Sequence, residues 1–456
     1  MADFRSFFKD KKVTVLGLGL LGKRLGDIAF LAECGAKVLV TDLKSSTVLK
    51  PSLQELRKHN LPTGRQGNIT FVLGKHRLSD FENCDFVLKG QGVTLDSPYI
   101  THARKKGIPI EMDESLFAKL APKVKIIGIT GTRGKSTTTM LIYEIIKRAG
   151  LPVHLGGNIK NTAALPLLKE VKDGDFVVFE LSSWQLQGFA EAKISPHISV
   201  FTNFMPDHMN YYKNNLKRYF GDKATIYKFQ KKNDFLILGP DMKSKIRRGN
   251  GKLINADVKN IPKNWKIKLK GKHNLENISC ALTVAKVLGI SEQSVKKVVE
   301  NFEAISGRLE LVKSIKGIDI YNDTNSSTPE ATSAALQALG SHKKNIVLIM
   351  GGSEKNLNFD NLLKDINKYA KAVVLIRGDG TNRIIPNLKK IKNISVYSEK
   401  VFRKVILKAY ALAQKGLPAG RQGDIVLFSP AFASFGMFNN EYERGDKFME
   451  IVNRLK

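Results

Sequence analysis

Cysteine is scarce: three residues in a chain of 456, Cys34, Cys84 and Cys280, lie far apart and form no CxxC pair. That excludes a disulfide framework and a thiolate zinc site, so reduced structural thiols in a cytoplasmic setting are expected. No apolar run reaches the roughly 18 residues that a membrane-spanning helix needs. The opening stretch MADFRSFFKDKK holds no apolar core of a secretory signal, so a soluble cytoplasmic protein with no membrane partner is expected. Acidic residues are also in short supply, 42 against 74 Lys and Arg, for a net charge of +32. Such a balance raises polyanions as partners. Yet the densest basic patches, residues 243–248 and 263–272, are short and carry no aromatic ladder beyond Trp265. Zinc-finger spacing and RNP-type aromatic strings are missing as well. No nucleic-acid partner is therefore expected, and most of the excess reads as a solvated lysine surface.

What is present is ample core material, 42% hydrophobic residues, in a length that suits two or three domains. Three segments open on a strand–loop–helix pattern. The first runs VTVLGLGLLGKRLGDIAFLAECGAKVLVTD from residue 13, the second VKIIGITGTRGKSTTTMLIYEIIKRAG from residue 124. The third begins near residue 307 and alternates strands at 345–350, 372–376 and 424–429 with helical stretches. Strands alternating with helices imply an α/β fold with mostly parallel sheets and ligands beyond the strands' carboxyl ends. The expected division is a Rossmann-like domain at 1–111, a central P-loop ATPase-type domain at 112–304 and a C-terminal Rossmann-like α/β domain at 305–456. One repeat stands apart: LPTGRQG at 61–67 recurs as LPAGRQG at 417–423. Each copy precedes a strand, and both read as inserted elements of the kind exposed loop tips tolerate.

Two glycine-rich loops carry chemistry. Gly17-x-Gly19-x-x-Gly22, with Asp42 ending the next strand, has the form of a dinucleotide fingerprint. Its glycines permit close phosphate approach and the acid can bond a ribose or base; the alternative is a plain strand-to-helix turn. The loop Gly131, Thr132, Arg133, Gly134, Lys135, Ser136 and Thr137 is the stronger signal. Backbone N–H groups in such a loop face phosphate oxygens, Lys135 neutralises their charge, and the Ser136 hydroxyl can hold Mg²⁺. The pattern is a variant, because Ile129 stands where the generic P-loop has its first glycine. Glu180 ends the strand DFVVFE, where a carboxylate is placed for Mg²⁺. His208, after HISVFTNF and Pro206-Asp207, is a second candidate ligand against the alternative of a hydrogen-bonded surface imidazole.

TGTRGKSTTT, GGNIK (156–160), ELSSWQL (180–186), NFMPDHM (203–209), GKHNLENISCAL (271–282), GRLE (307–310), NDTNSSTPEAT (322–332) and SPAFASF (429–435) follow in this order. In these motifs and their order the chain resembles the Mur ligases, ATP-dependent amide-bond-forming enzymes of cytoplasmic peptidoglycan synthesis, over essentially its whole length. With the N-terminal GLGLLG segment, the likeness is to the branch that adds D-glutamate to UDP-N-acetylmuramoyl-L-alanine through an acyl phosphate. The resemblance implies that Lys135, Ser136 and Thr137 hold ATP phosphates and Mg²⁺, and that Glu180 and His208 bind metal. It implies that Lys223, from the residues alone one lysine among many, becomes a carbamate bridging a second Mg²⁺. By the same resemblance Asn274 and Asn277 contact adenine, Arg308 serves the γ-phosphate and Asp323 the ribose. Gly19, Leu20 and Asp42, with residues 90–94, would receive UDP rather than NAD, and Asn158 would lie by the sugar's reacting end. Ser327, Lys355, Ser434 and Phe435 would hold D-glutamate. Closure of the third domain would complete the site, in a monomer.

Several residues depart from the family pattern. Residues 323–328 read DTNSST where many members have DSKATN, so a lysine is replaced by Asn325, and Ser327 keeps a hydroxyl where threonine is frequent. The uridine-side loop reads KGQGV at 89–93 in place of Ser-Pro-Gly, and Glu441 stands at a position that is often aromatic. A Mur-type or folylpolyglutamate-type ligase for another amino acid, or a nucleotide-binding regulatory protein, are the alternative readings.

Overall fold

The computed structural model describes residues 3–19, 23–57, 68–159, 162–246, 249–340, 344–354, 357–415, 424–434, 437–438 and 440–455. Both copies of the repeat, together with Leu20, Gly22, Lys355 and Phe435, lie outside them. The chain forms two compact units, one of Met1–Trp265 and Glu276–Val299, the other of Lys266–Leu275 and Glu300–Lys456.

The first unit holds two sheets. One contains β1 (Lys12–Leu16), β2 (Lys37–Asp42), β3 (Ile69–Leu73), β4 (Phe86–Lys89) and β5 (Ile110–Glu111), in the order β3-β2-β1-β4-β5 and parallel throughout. The other contains β6 (Lys125–Thr130), β7 (Val153–Gly157), β8 (Phe176–Glu180), β9 (Ile198–Phe201), β10 (Phe235–Leu238) and β11 (Lys252–Asn255). Its order is β11-β10-β9-β6-β8-β7, again all parallel. The innermost strands are near-continuous apolar runs, FVVFE and ISVF being buried at every position, as a sheet covered on both faces requires. A single apolar cluster runs through both sheets, with Phe117 and Phe179 in edge-to-face contact at 5.4 Å. Polar contacts join them too. Asp27 accepts from Leu165 N at 3.1 Å, and a Cβ on Gly26 would come within 2.7 Å of Ala163 Cβ.

The second unit is one six-stranded sheet. It comprises β12 (Glu310–Ile315), β13 (Ile318–Asn322), β14 (Ile346–Met350), β15 (Ala370–Ile376), β16 (Ser395–Glu399) and β17 (Asp424–Phe428), in the order β12-β13-β17-β14-β15-β16. All pairs are parallel except the hairpin β12–β13. The molecule is thus mixed α/β with mostly parallel sheets. The three cysteines are free thiols, and among the described residues no helix is long and apolar enough to cross a membrane.

Candidate functional site: a phosphate loop ringed by buried polar groups

β6 ends at Thr130, and the chain turns through Gly131 (φ 145°) and Gly134 (φ 80°) into the helix Lys135–Arg148. Both glycines are obligatory here. A Cβ at Gly131 would lie 2.0 Å from Thr202 Oγ1, and one at Gly134 would lie 2.2 Å from Asn277 Oδ1; both φ values are also ones that L side chains avoid. The helix buries Leu141, Ile142, Ile145 and Ile146 and ends in Lys147 and Arg148, so its cationic turn suits the dipole's negative end while its positive end faces the loop.

Polar side chains converge on this loop from four neighbouring segments. Ser136 Oγ donates to Glu180 Oε2 at 2.5 Å, and Asn158 Nδ2 donates to Glu180 Oε1 at 3.2 Å. Parallel pairing brings them together, since Gly157 is the register partner of Glu180. Lys135 Nζ reaches back to the carbonyls of Gly131 and Thr132, 3.1 Å each, and Lys223 Nζ also donates to Gly131 O at 2.7 Å. Lys223 is only 2% exposed. Burial, and then the nearby Lys135 charge, hold its amine well below the ordinary lysine value. Asn277 Oδ1 accepts from Thr138 Oγ1 at 3.3 Å, in the first turn of the loop's helix.

Arg133 links the loop to the segment after β9, its side chain bonding Asp207 at 2.8 Å and its N–H bonding Asn203 Oδ1 at 2.8 Å. His208 follows in a left-handed conformation (φ 55°), its ring 4.8 Å from that of Trp184 and 6.3 Å from that of Tyr219. Tyr219 was not singled out in the sequence. It shares the helix Leu216–Lys228 with Lys223, whose Nζ lies 4.9 Å from the ring, and its hydroxyl meets Thr132 Oγ1 at 3.3 Å. Its one sequence signal is the i, i+4 spacing of Tyr219 and Lys223 on a helix. The donor set fits a magnesium ion in chemistry: the buried Glu180 carboxylate and the Ser136 hydroxyl are hard oxygen donors in contact. Among the described residues no three His, Cys, Asp or Glu side chains are grouped as a metal cage, so further oxygen donors have to come from elsewhere.

At the carboxyl edge of the first sheet, Gly17 (φ 93°) and Gly19 (φ 73°) have nothing among the described residues within 4 Å of a Cβ position. Asp42 is buried and spends its oxygens on the loop. Oδ2 accepts from Leu18 N at 2.9 Å and Gly19 N at 3.3 Å, and Oδ1 accepts from Lys44 N at 2.9 Å. The geometry makes it an anchor of the glycine turn that was expected to receive the nucleotide. The next loop is clamped beside it: Gly90 N donates to Leu16 O, and a Cβ on Gly90 would come within 2.8 Å of that same oxygen.

In the second unit, Asp323 follows β13 and is buried. It accepts from Leu309 N at 3.0 Å and Ser429 Oγ at 2.8 Å. Burial raises its carboxyl to about 6, against the opposing pull of these bonds and of Arg308. Asn325 N donates to Gly307 O at 3.0 Å and Ala431 N to Ser326 O at 2.9 Å, so residues 307–309, 323–327 and 429–431 form one cluster of turns. Asn274 donates to Lys270 O at 2.8 Å in the same unit. Ser434 lines a cavity of about 280 Å³ with Gly352, Ser353, Phe438 and Arg444. Sequence reasoning missed Arg444. It is buried, lowered by that burial to about 10, and donates to Thr324 O, Thr324 Oγ1 and Phe432 O at 2.7–3.2 Å. Its signal was an arginine on the apolar stripe of the helix Glu441–Asn453, in step with the buried Phe448 and Val452.

Residues 129–261 match the family model of the Mur ligase middle domain, and residues 307–432 that of the Mur ligase glutamate ligase domain. A UDP-N-acetylmuramoylalanine–D-glutamate ligase from Clostridium kluyveri is 33% identical over 477 residues, spanning 99% of both chains. One from a Roseiflexus species is 34% identical over 484 residues, spanning 97% of this chain and 98% of its own. Among solved structures, a UDP-N-acetylmuramate–alanine ligase from Thermotoga maritima shares the fold. It has a TM-score of 0.60 at 19% identity, covering 98% of this chain and all (100%) of that one.

Proposed function

The chain belongs to the Mur ligase family, and we propose that it joins D-glutamate to the alanine carboxylate of UDP-N-acetylmuramoyl-L-alanine at the expense of ATP, a cytoplasmic step in making peptidoglycan precursor. The observation that carries this reading is the phosphate loop with Ser136, Asn158, Glu180 and Lys223 in contact around it, in a chain whose full length aligns with ligases of that name. We read 1–111 as a Rossmann-like nucleotide-sugar domain, 112–304 as the ATP domain and 305–456 as a Rossmann-like domain for the amino acid.

In the proposed reaction the alanine carboxylate attacks the γ-phosphorus and ADP leaves, giving an acyl phosphate. The amine of D-glutamate then attacks the acyl carbon, loses a proton, and inorganic phosphate departs. The first step brings anions together, so charge neutralisation and positioning do most of the work. N–H groups of Gly131–Gly134 and the Lys135 ammonium take the phosphate oxygens, with Thr137 beside them, and Asn277 abuts the turn where we place the adenine side. Arg308 serves the γ-phosphate, Asp323 and Asn274 the nucleoside, and Asn158 the sugar's reacting end. Ser136, Glu180, His208 and Lys223 would hold Mg²⁺, which supplies Lewis-acid neutralisation when bound. For that role Lys223 would become a carbamate, its neutral amine adding to the carbon of CO₂ and releasing one proton. Burial, and then the Lys135 charge, hold this amine well below the usual lysine range, a shift toward the neutral form that the addition needs.

For the amino acid, Ser434, Ser327, Lys355 and Phe435 are the proposed contacts. The test is ATP-dependent phosphate release with UDP-N-acetylmuramoyl-L-alanine and D-glutamate, L-alanine, L-lysine or D-alanyl-D-alanine offered in turn. Release with D-glutamate is the expected result; release with another of these instead would overturn the substrate assignment.

A further inference from the structure

Lys89, the last residue of β4, is fully buried. Among the described residues its ammonium group bonds no carboxylate directly. Nζ donates to Val93 O at 2.8 Å and Gly90 O at 3.2 Å, the two ends of the turn that follows the strand. Gly90 O also accepts from Val93 N at 3.2 Å, so one amine and one backbone bond close the same turn from its inner side. On its outer side Gly92 is exposed, with nothing among the described residues within 4 Å of a Cβ there.

Four charged side chains from four helices bear on Lys89. Arg24, from Lys23–Glu33, donates to Lys89 O at 3.1 Å, and Arg104 lies on Pro98–Lys105. Asp113 begins Asp113–Leu120, and Asp222 lies on Leu216–Lys228, where Gln187 and Tyr212 bond its carboxylate. Burial first, then Arg24, pull the amine down to about 7, with Asp113 and Asp222 opposing. A methionine would fill the same volume without the desolvation cost of a lysine. What the lysine adds is its grip on two carbonyls of one turn.

We infer that Lys89 is a positioning residue that sets the shape of the 90–93 turn, and through it the affinity for the nucleotide-sugar substrate, by holding the Gly90 and Val93 carbonyls from the protein interior. The inference rests on the reading that this turn receives the UDP moiety. Charge-assisted bonds are the stronger ones, so the ammonium form holds the turn best.

The test is steady-state kinetics of wild type and Lys89→Met. The variant is expected to raise KM for UDP-N-acetylmuramoyl-L-alanine about tenfold, the effect of losing one or two such bonds, with KM for ATP and kcat little changed. In the wild type, the same KM should rise severalfold between about pH 6 and about pH 8.5 as the ammonium is lost, and in Lys89→Met it should be flat. The wild-type profile decides even if the variant melts early. A KM for the nucleotide sugar that ignores both pH and the substitution, or a KM for ATP that shifts equally, overturns the inference while leaving the proposed reaction standing. A wild type that never consumes the nucleotide sugar removes the reaction and this inference together.

Discussion

Asp323 is a carboxyl group that folding makes harder to ionise. Its folded value of about 6 lies above the ordinary 3.8, so between those two the folded chain binds more protons than the unfolded one. Stability from this group is therefore full below about pH 4, declines through the window and is gone above about pH 6. At neutral pH the buried carboxylate costs stability, up to about 3 kcal/mol for a shift of this size. Asn in its place can still accept from Leu309 N and donate to Ser429. Asp323→Asn should thus melt higher than wild type at about pH 8, with the gap closing near pH 4, while catalysis falls; an equal or lower melting point at both pH values contradicts this. Lys223→Ala should cost about tenfold to hundredfold in activity, typical for groups around a metal. Added formate or acetate should recover part of it, and unaltered activity without them rules out the carbamate. These two residues differ in legibility. Asp323 sat in a recognisable run, whereas Lys223 and Lys89 look like any other lysine until the fold buries them. Asp42 was legible as a residue, whereas its bonds to the Leu18 and Gly19 N–H groups appear only in the fold.

The elements were easier to read than the contacts, because alternation of apolar runs and helical stretches reports burial on both faces of a sheet. The expected strand at 345–350 is observed as Ile346–Met350, and 424–429 as Asp424–Phe428. The antiparallel hairpin β12–β13 was not foreseen; β12 is polar and half-exposed, and β13, though buried at all but Asp319, has its apolar run broken by that residue. The phosphate loop was legible because its glycines are demanded locally. Gly134→Ala puts a methyl 2.2 Å from Asn277 Oδ1 at a φ of 80°. It should raise KM for ATP well over tenfold and destabilise the first unit by about 1–3 kcal/mol, read by nucleotide titration and thermal melting. Wild-type ATP affinity in this variant would show that the turn tolerates another shape.

Across the whole molecule the chain carries an excess of +32, and among the described residues nearly all its cations are on the surface. Among the described residues the buried lysines are Lys89 and Lys223, and both touch loops read as receiving anions. The charge that first suggested a polyanion partner is better explained by solubility and mild steering of small anionic substrates, an effect that salt screens. The central claim is the identity of the bond made, and mass spectrometry of the product tests it most directly. With ATP, Mg²⁺, UDP-N-acetylmuramoyl-L-alanine and D-glutamate, the account predicts a nucleotide sugar heavier by a single glutamyl residue, with an equal amount of ADP formed. An unmodified nucleotide sugar after ATP is consumed, or a product carrying a different amino acid from a mixture, would contradict it.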